Sequence, residues 1–285
     1  MQYSDQKKGM LLAFTAIMFI TPDSLFIRMA NLASWNLIFY RGFIPFFIVF
    51  VGLLIIYKAK FFSQLIENGW HGIAYAIIFT ITNIFFVISI ENTNVANTLI
   101  MIALAPMLSA VISFIFLKEN TDKKTWVAIT VTTLAVIYIF NDSFERGDVL
   151  GNFLGLVCAT GLAVGAVIIR SAKKINLVPS AMMGKLMVTL IALLFADNLV
   201  LKGSDSIIIP LMCVMCVAIP FVLITLAPRY ISAAEVNLFF LLETILGPLW
   251  VWFVIKEQPS AETIVGGVVI IATIATHSIL SLKKN

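Results

Sequence analysis

Charge is scarce in this chain. Asp, Glu, Lys and Arg make up 12% of its 285 residues, against roughly 25% in a soluble domain. The 61% hydrophobic content and mean hydropathy of +1.03 exclude a soluble globular protein. Cysteine is nearly absent too. Cys158, Cys213 and Cys216 all lie in apolar runs, which excludes a disulfide framework. Cys213 and Cys216 have CxxC spacing, but there is no second ligand pair and no nearby histidine, so they read as small packing residues. The only histidines, His71 and His277, stand near span ends on different segments and form no metal site. P-loop, Rossmann fingerprint, Ser/His/Asp set and acidic cation motif are all missing. The chain therefore calls for no cofactor and no metal. No Lys/Arg-rich run with aromatic interleaving supports a nucleic-acid partner, and the net charge of +4 reflects loop lysines.

What is present is a series of long apolar runs. A membrane helix needs about 20 mostly apolar residues. Ten segments qualify: 9–29, 35–57, 70–90, 95–117, 125–140, 149–170, 179–200, 207–228, 234–255 and 262–282. Lys7-Lys8 before an apolar run resembles a signal peptide. Asp23 and Arg28 interrupt any cleavage site, so the first segment is expected to stay as a span. With the N-terminus inside, the inner side holds thirteen cations: Lys7, Lys8, Lys58, Lys60, Lys118, Lys123, Lys124, Arg170, Lys173, Lys174, Arg229, Lys283 and Lys284. The outer side holds four, Arg28, Arg146, Lys202 and Lys256. Both termini are accordingly expected in the cytoplasm, across a plasma (inner) membrane.

The chain repeats itself. Arg28 and Gly42 recur as Arg170 and Gly184 at an offset of 142. Lys118-Glu119 recur as Lys256-Glu257, and Asn94 and Ala96 align with Ser232 and Ala234, at 138. The reading is two repeats, 1–143 and 148–285, joined by a polar linker Asn141–Asp148. Five spans is an odd number, so the second repeat enters the membrane inverted. The expected fold is all-α and integral to the membrane, with ten helices as two inverted five-helix repeats. That architecture is common among secondary transporters, whose substrate site lies between the halves near the midplane.

At this point the chain resembles the EamA-type branch of the drug/metabolite transporter superfamily. The first half carries Leu104-Ala105-Pro106-Met107-Leu108 and Phe116-Leu117-Lys118-Glu119. The second carries Ala227-Pro228-Arg229-Tyr230-Ile231-Ser232-Ala233-Ala234, then Leu242-Glu243-Thr244 and Ile255-Lys256-Glu257. Thr244 stands where relatives often have proline, which leaves Pro248 to bend that helix. The resemblance implies a carrier that moves amino acids or other small metabolites, often outward. The substrate varies across the family and does not carry over.

The residues that interrupt the apolar runs are the candidate site. Asp23 and Arg41 each lie about 9 Å below the outer surface, at 1.5 Å per helical residue. A structural ion pair and a substrate clamp both fit them. In the clamp, Arg41 takes a carboxylate and Asp23 an ammonium. Pro22 before Asp23 breaks the helix, as in transporters. Glu243, about 13 Å deep, shares its depth with no cation; it is the candidate proton carrier, with Asp23 second. Thr80 and Asn83 share a face of span 3. Asn97, Met101 and Ala105 share a face of span 4, with Glu235 the repeat mate of Asn97. Both faces are expected to line the cavity. Lys185, near the inner end of span 7, is expected to snorkel to the headgroups. Gly151/Gly155 and Gly161/Gly165 read as close helix packing. The partners expected are a small-molecule substrate and the bilayer, with the monomer as the working unit. Readings in which the chain is an uptake carrier for a nucleoside-like metabolite, a membrane enzyme on a lipid-linked substrate or an ion channel stay open. The enzyme reading wants clustered loop Asp, His or Arg, and the channel reading a re-entrant filter.

Overall fold

The computed structural model describes residues 2–58, 60–118, 123–172, 175–227, 230 and 233–282. The motif residues Glu119, Pro228, Arg229, Ile231 and Ser232, and the loop cations Lys173, Lys174, Lys283 and Lys284, lie outside them. So do the side chains of Ala233, Ala234 and Glu235. The elements are α1 (Gln2–Ile20), α2 (Asp23–Met29), α3 (Ser34–Tyr57), α4 (Lys60–Glu67), α5 (Gly69–Asn92), α6 (Val95–Ile102), α7 (Ala105–Phe116), α8 (Lys123–Arg146), α9 (Val149–Ser171), α10 (Val178–Phe195), α11 (Asp205–Met212), a π-helical segment Cys213–Ala218, α12 (Ile219–Leu226), α13 (Ala233–Ile255) and α14 (Ala261–Leu282). Among the described residues, eight stretches are long and apolar enough to cross a membrane; α13 and α14 contain shorter apolar stretches, Leu242–Ile255 and Ala261–His277.

Prolines explain the interruptions. Pro22 cannot donate to the Met18 carbonyl, so α1 stops at Ile20 and the Thr21 hydroxyl donates to that carbonyl instead, at 3.1 Å. Pro106 opens α7 after the turn Ala103–Leu104, dividing the expected fourth span. Pro220 follows the π segment that interrupts the eighth. Pro248 does not break α13, which runs unbroken through it. Several expected boundaries need correction. The linker expected at Asn141–Asp148 is helical to Arg146, and the break is carried by Gly147 at φ +82°, a conformation open to glycine. The seventh span ends at Phe195 rather than at residue 200, and α4 lies between the expected second and third spans.

Between membrane helices the hydrophobic effect contributes little, so close backbone approach matters. Helix α9 lies on α5 through Gly151, Gly155, Gly161 and Gly165, which face Asn92, Ser89, Thr82 and Tyr75. At the α3–α10 crossing a Cβ on Gly42 would sit 2.6 Å from Thr189 Oγ1, 2.8 Å from its backbone nitrogen and 3.0 Å from the Lys185 carbonyl. Backbone atoms cannot rotate away. Gly42→Ala is therefore expected to destabilise the protein by roughly 1–3 kcal/mol, the usual cost of overpacking. Thermal unfolding in detergent checks this against Gly52→Ala on the same helix, where nothing lies within 4 Å and no shift is expected.

The helix packing maps onto itself when the halves are exchanged. Helix α5 packs on α9 as α12 packs on α1; α6 and α7 pack on α9 as α13 packs on α1; α10 packs on α5 as the π segment packs on α3. The pairs α3–α10, α8–α14 and α6–α13 map onto themselves. Lys118 and Lys256, mates in the repeat, share a left-handed backbone at φ +54° and +61°. An apolar cluster including Leu25, Leu37, Ile90, Val95, Ile209 and Val251 fills one end of the bundle. Another, with Val49, Leu53, Met182 and Phe221, joins α3, α10 and α12. Arg41 stands on α3 between the residues of the two.

Candidate functional site

The break between α1 and α2 places Asp23 at the first position of a new helix, facing α3. The Asp23 carboxylate receives two parallel hydrogen bonds from Arg41: Nη1 to Oδ1 at 2.5 Å and Nη2 to Oδ2 at 2.7 Å. Both residues are buried, at 4% and 6% exposure. The guanidinium also lies 3.5 Å from Met212 Sδ, with its central carbon 5.7 Å from the centre of the Phe86 ring. This fork-to-fork geometry is the strong form of a charge-assisted bond. Pro45, four residues on, cannot donate to the Arg41 carbonyl, so that carbonyl loses its helical partner. Next to the pair, the buried Ser24 hydroxyl has no hydrogen-bond partner among the described residues.

Helix α13 closes over the same break. A Cβ on Gly247 would come 3.5 Å from Ser24 Oγ and 3.8 Å from the Thr21 carbonyl, and Trp250 Nε1 donates to Thr21 Oγ1 at 3.2 Å. Glu243 is one turn before Gly247 and shares its face. It is half-buried, and Asp23 and Arg41 are the charges that act on it. It makes no hydrogen bond to another described residue.

Lys185 departs from expectation. It does not snorkel: at 2% exposure its ammonium donates to Asn83 Oδ1 at 2.5 Å and lies 5.4 Å from the Phe79 ring centre. No carboxylate pairs with it among the described residues, though Arg41 and Asp23 are within electrostatic reach. The α3–α10 crossing at Gly42 explains why this cation points inward beside the pair. Thr80, one turn from Asn83, donates to the carbonyls of Ala76 (2.7 Å) and Gly184 (3.1 Å), and Asn83 donates to the Phe79 carbonyl at 2.7 Å.

Asn97 and Met101 are not brought to this cluster. Asn97 accepts from Thr263 at 2.5 Å and donates to Thr93 at 3.2 Å, and Thr93 bonds Asn152 at 2.9 Å. Met101 is fully buried against Gly155. One pair went unread in the sequence. Arg28 Nε lies 3.0 Å from Glu257 Oε2, linking α2 of the first half to the α13–α14 loop of the second. The loop-cation frame puts both residues on the same side but does not pair them.

The family model described as the EamA-like transporter family matches the chain twice, over residues 7–141 and 149–279. A comparison with curated protein sequences finds no significant match. Among solved structures, a crystal structure described only as that of a protein is similar over 98% of this chain and 99% of its own, with TM-score 0.68 and 15% identity. At that identity the likeness concerns the fold.

Proposed function

The chain belongs to the EamA-like transporter family, and we propose that it is a secondary-active carrier, an exporter or exchanger, of small polar metabolites. Zwitterions of the amino-acid type are its first substrate class. The observation that carries this reading is the buried Asp23–Arg41 fork at the helix break, where α13 of the second half closes on α2 of the first. A buried ion pair is weak evidence for stability, because desolvation offsets much of its attraction. Placed between repeats, beside a Lys185 that no carboxylate and a Ser24 hydroxyl that no hydrogen bond meets among the described residues, it fits a ligand that brings both charges. A substrate carboxylate competes with Asp23 for Arg41, Lys185 supplies a second positive charge, and a substrate ammonium takes Asp23. Thr80 and Asn83 hold Lys185 and its helix in place. Asn97 and Met101 belong to the helix contacts around the site.

The ten-span, inverted arrangement is part of the same proposal. The packing that maps onto itself when the halves exchange supports it, because five spans per half and a two-fold relation place the axis in the membrane plane. Access then alternates as the halves rock around the pair. The monomer works alone in the plasma membrane, with both termini cytoplasmic as the loop cations argue. Reconstitution in liposomes tests the carrier reading. Preloaded unlabelled amino acid is expected to draw in labelled amino acid by saturable counterflow. Steady conductance in place of saturation, or no exchange across a panel of amino acids and small polar metabolites, would overturn it.

A further inference from the structure

Helix α2 is only seven residues long, Asp23–Met29, and an ion pair holds each end of it. At its start Asp23 is locked to Arg41 within the first half. At its last turn Arg28 reaches across to the second half. The five residue steps from one to the other span about 7.5 Å of helix. Arg28 Nη2 donates to the Thr93 carbonyl at 2.6 Å and to Glu257 Oε1 at 3.3 Å, while Nε lies 3.0 Å from Glu257 Oε2. Glu257 Oε1 also accepts the Val95 backbone N–H at 2.8 Å, at the start of α6. The left-handed Lys256 reverses the chain just before Glu257. Next in the loop, the Gln258 carbonyl accepts from Asn94 at 3.2 Å. One carboxylate thus ties the α13–α14 loop to both helices of the first half that flank this mouth.

We propose that Arg28–Glu257 is a gate latch: paired, it closes the mouth above the Asp23–Arg41 site, and α2 transmits the state of the site to it. The inference rests on the carrier reading. The pair is only partly buried, with side chains 24% and 21% exposed, so water can take over its bonds when it parts. The Asp23–Arg41 fork below is shut away. A short rigid helix bound at both ends cannot release one bond and keep the other strain-free if it tilts. A substrate that separates Asp23 from Arg41 therefore frees α2 to move and loosens Arg28. The repeat retains both residue types, Arg170 at the Arg28 offset and Glu119 at the Glu257 offset, which argues for a device of the transport cycle over a feature of one loop.

The test needs no substrate. A reporter cysteine, Ser24→Cys, is placed between latch and fork in a chain whose three native cysteines are replaced by alanine. An impermeant maleimide is added to intact cells and, separately, to inverted vesicles. Glu257→Gln is expected to speed labelling from the Arg28 side by about tenfold or more and to slow it from the other, the reciprocal change that alternating access requires. Charge reversal, Arg28→Glu with Glu257→Arg, restores the ion pair but not the bonds to Thr93 and Val95, and is expected to bring the rates part of the way back. Faster labelling from both sides would mean local unfolding and would overturn the latch, as would unchanged rates in a variant of normal melting temperature. Failure of the carrier reading would appear separately, as absent counterflow in the unmodified protein with these labelling shifts intact.

Discussion

The double variant Asp23→Asn with Arg41→Gln will melt close to the unmodified protein and still fail to transport. Each single change leaves its partner charged, buried and unpaired, which costs about 3–5 kcal/mol when a buried pair is broken on one side. Both single variants should therefore be less stable and inactive, and neither separates architecture from function. The double variant does. Replacing both partners of a buried pair with neutral groups of similar shape is often tolerated, and here the surroundings suit it: the Phe86 ring and Met212 sulfur are already apolar neighbours. Folding should recover. A zwitterionic substrate, however, would then bring two charges into a site that has lost both partners of the fork, at roughly 2–5 kcal/mol. That corresponds to a transport loss of about 30-fold or more at 1.4 kcal/mol per tenfold. The measurement is counterflow in liposomes, with protein amount and melting temperature matched. A well-folded double variant working near the original rate would return the pair to architecture, leaving Lys185, Glu243 and Ser24 as the charged and polar groups for a substrate to meet.

How far these residues were legible depends on what sets their positions. Pro22 marks the break in the first span because a missing N–H is a local fact, and Asp23 and Arg41 could be matched by depth because helical rise is constant. The repeat was readable from offsets alone, and the glycines of α9 from their spacing. Lys185 was misread because depth along a helix gives no rotation about it; the α3–α10 crossing at Gly42 brings its ammonium to Asn83. Arg28–Glu257 joins residues 229 apart, and only the docking of one half against the other makes them neighbours. Asn97 was expected to line the cavity on a face shared with Met101 and Ala105. Its face meets Thr263 of α14, a contact no intrahelical periodicity can supply. The linker was misjudged because Asn141–Arg146 is polar enough to read as a loop, yet it extends α8 beyond the apolar run.

Glu243→Gln should uncouple transport from a proton gradient while sparing exchange. The carboxylate sits one turn from Gly247 on the face of α13 that covers the helix break, where Asp23 and Arg41 act on it. It is only half-buried, so water can reach it, and no described residue holds it by a hydrogen bond. Intramembrane carboxylates in such settings serve as proton relays. Glutamine has nearly the shape of the protonated acid but can neither release nor accept a proton at that atom. If Glu243 carries the proton, the variant is fixed in the loaded form. Counterflow, which needs only the loaded carrier to shuttle, should stay within about threefold, whereas gradient-driven accumulation should fall by about tenfold or more. A purely structural Glu243 predicts a different result, because losing a helix contact would lower both activities together along with the melting temperature. The decisive comparison is accumulation with and without an imposed pH difference in the same liposomes. A Gln variant that still accumulates substrate in response to the gradient, or an unmodified protein indifferent to it, would remove Glu243 from the coupling step and leave Asp23 as the carboxylate to test next.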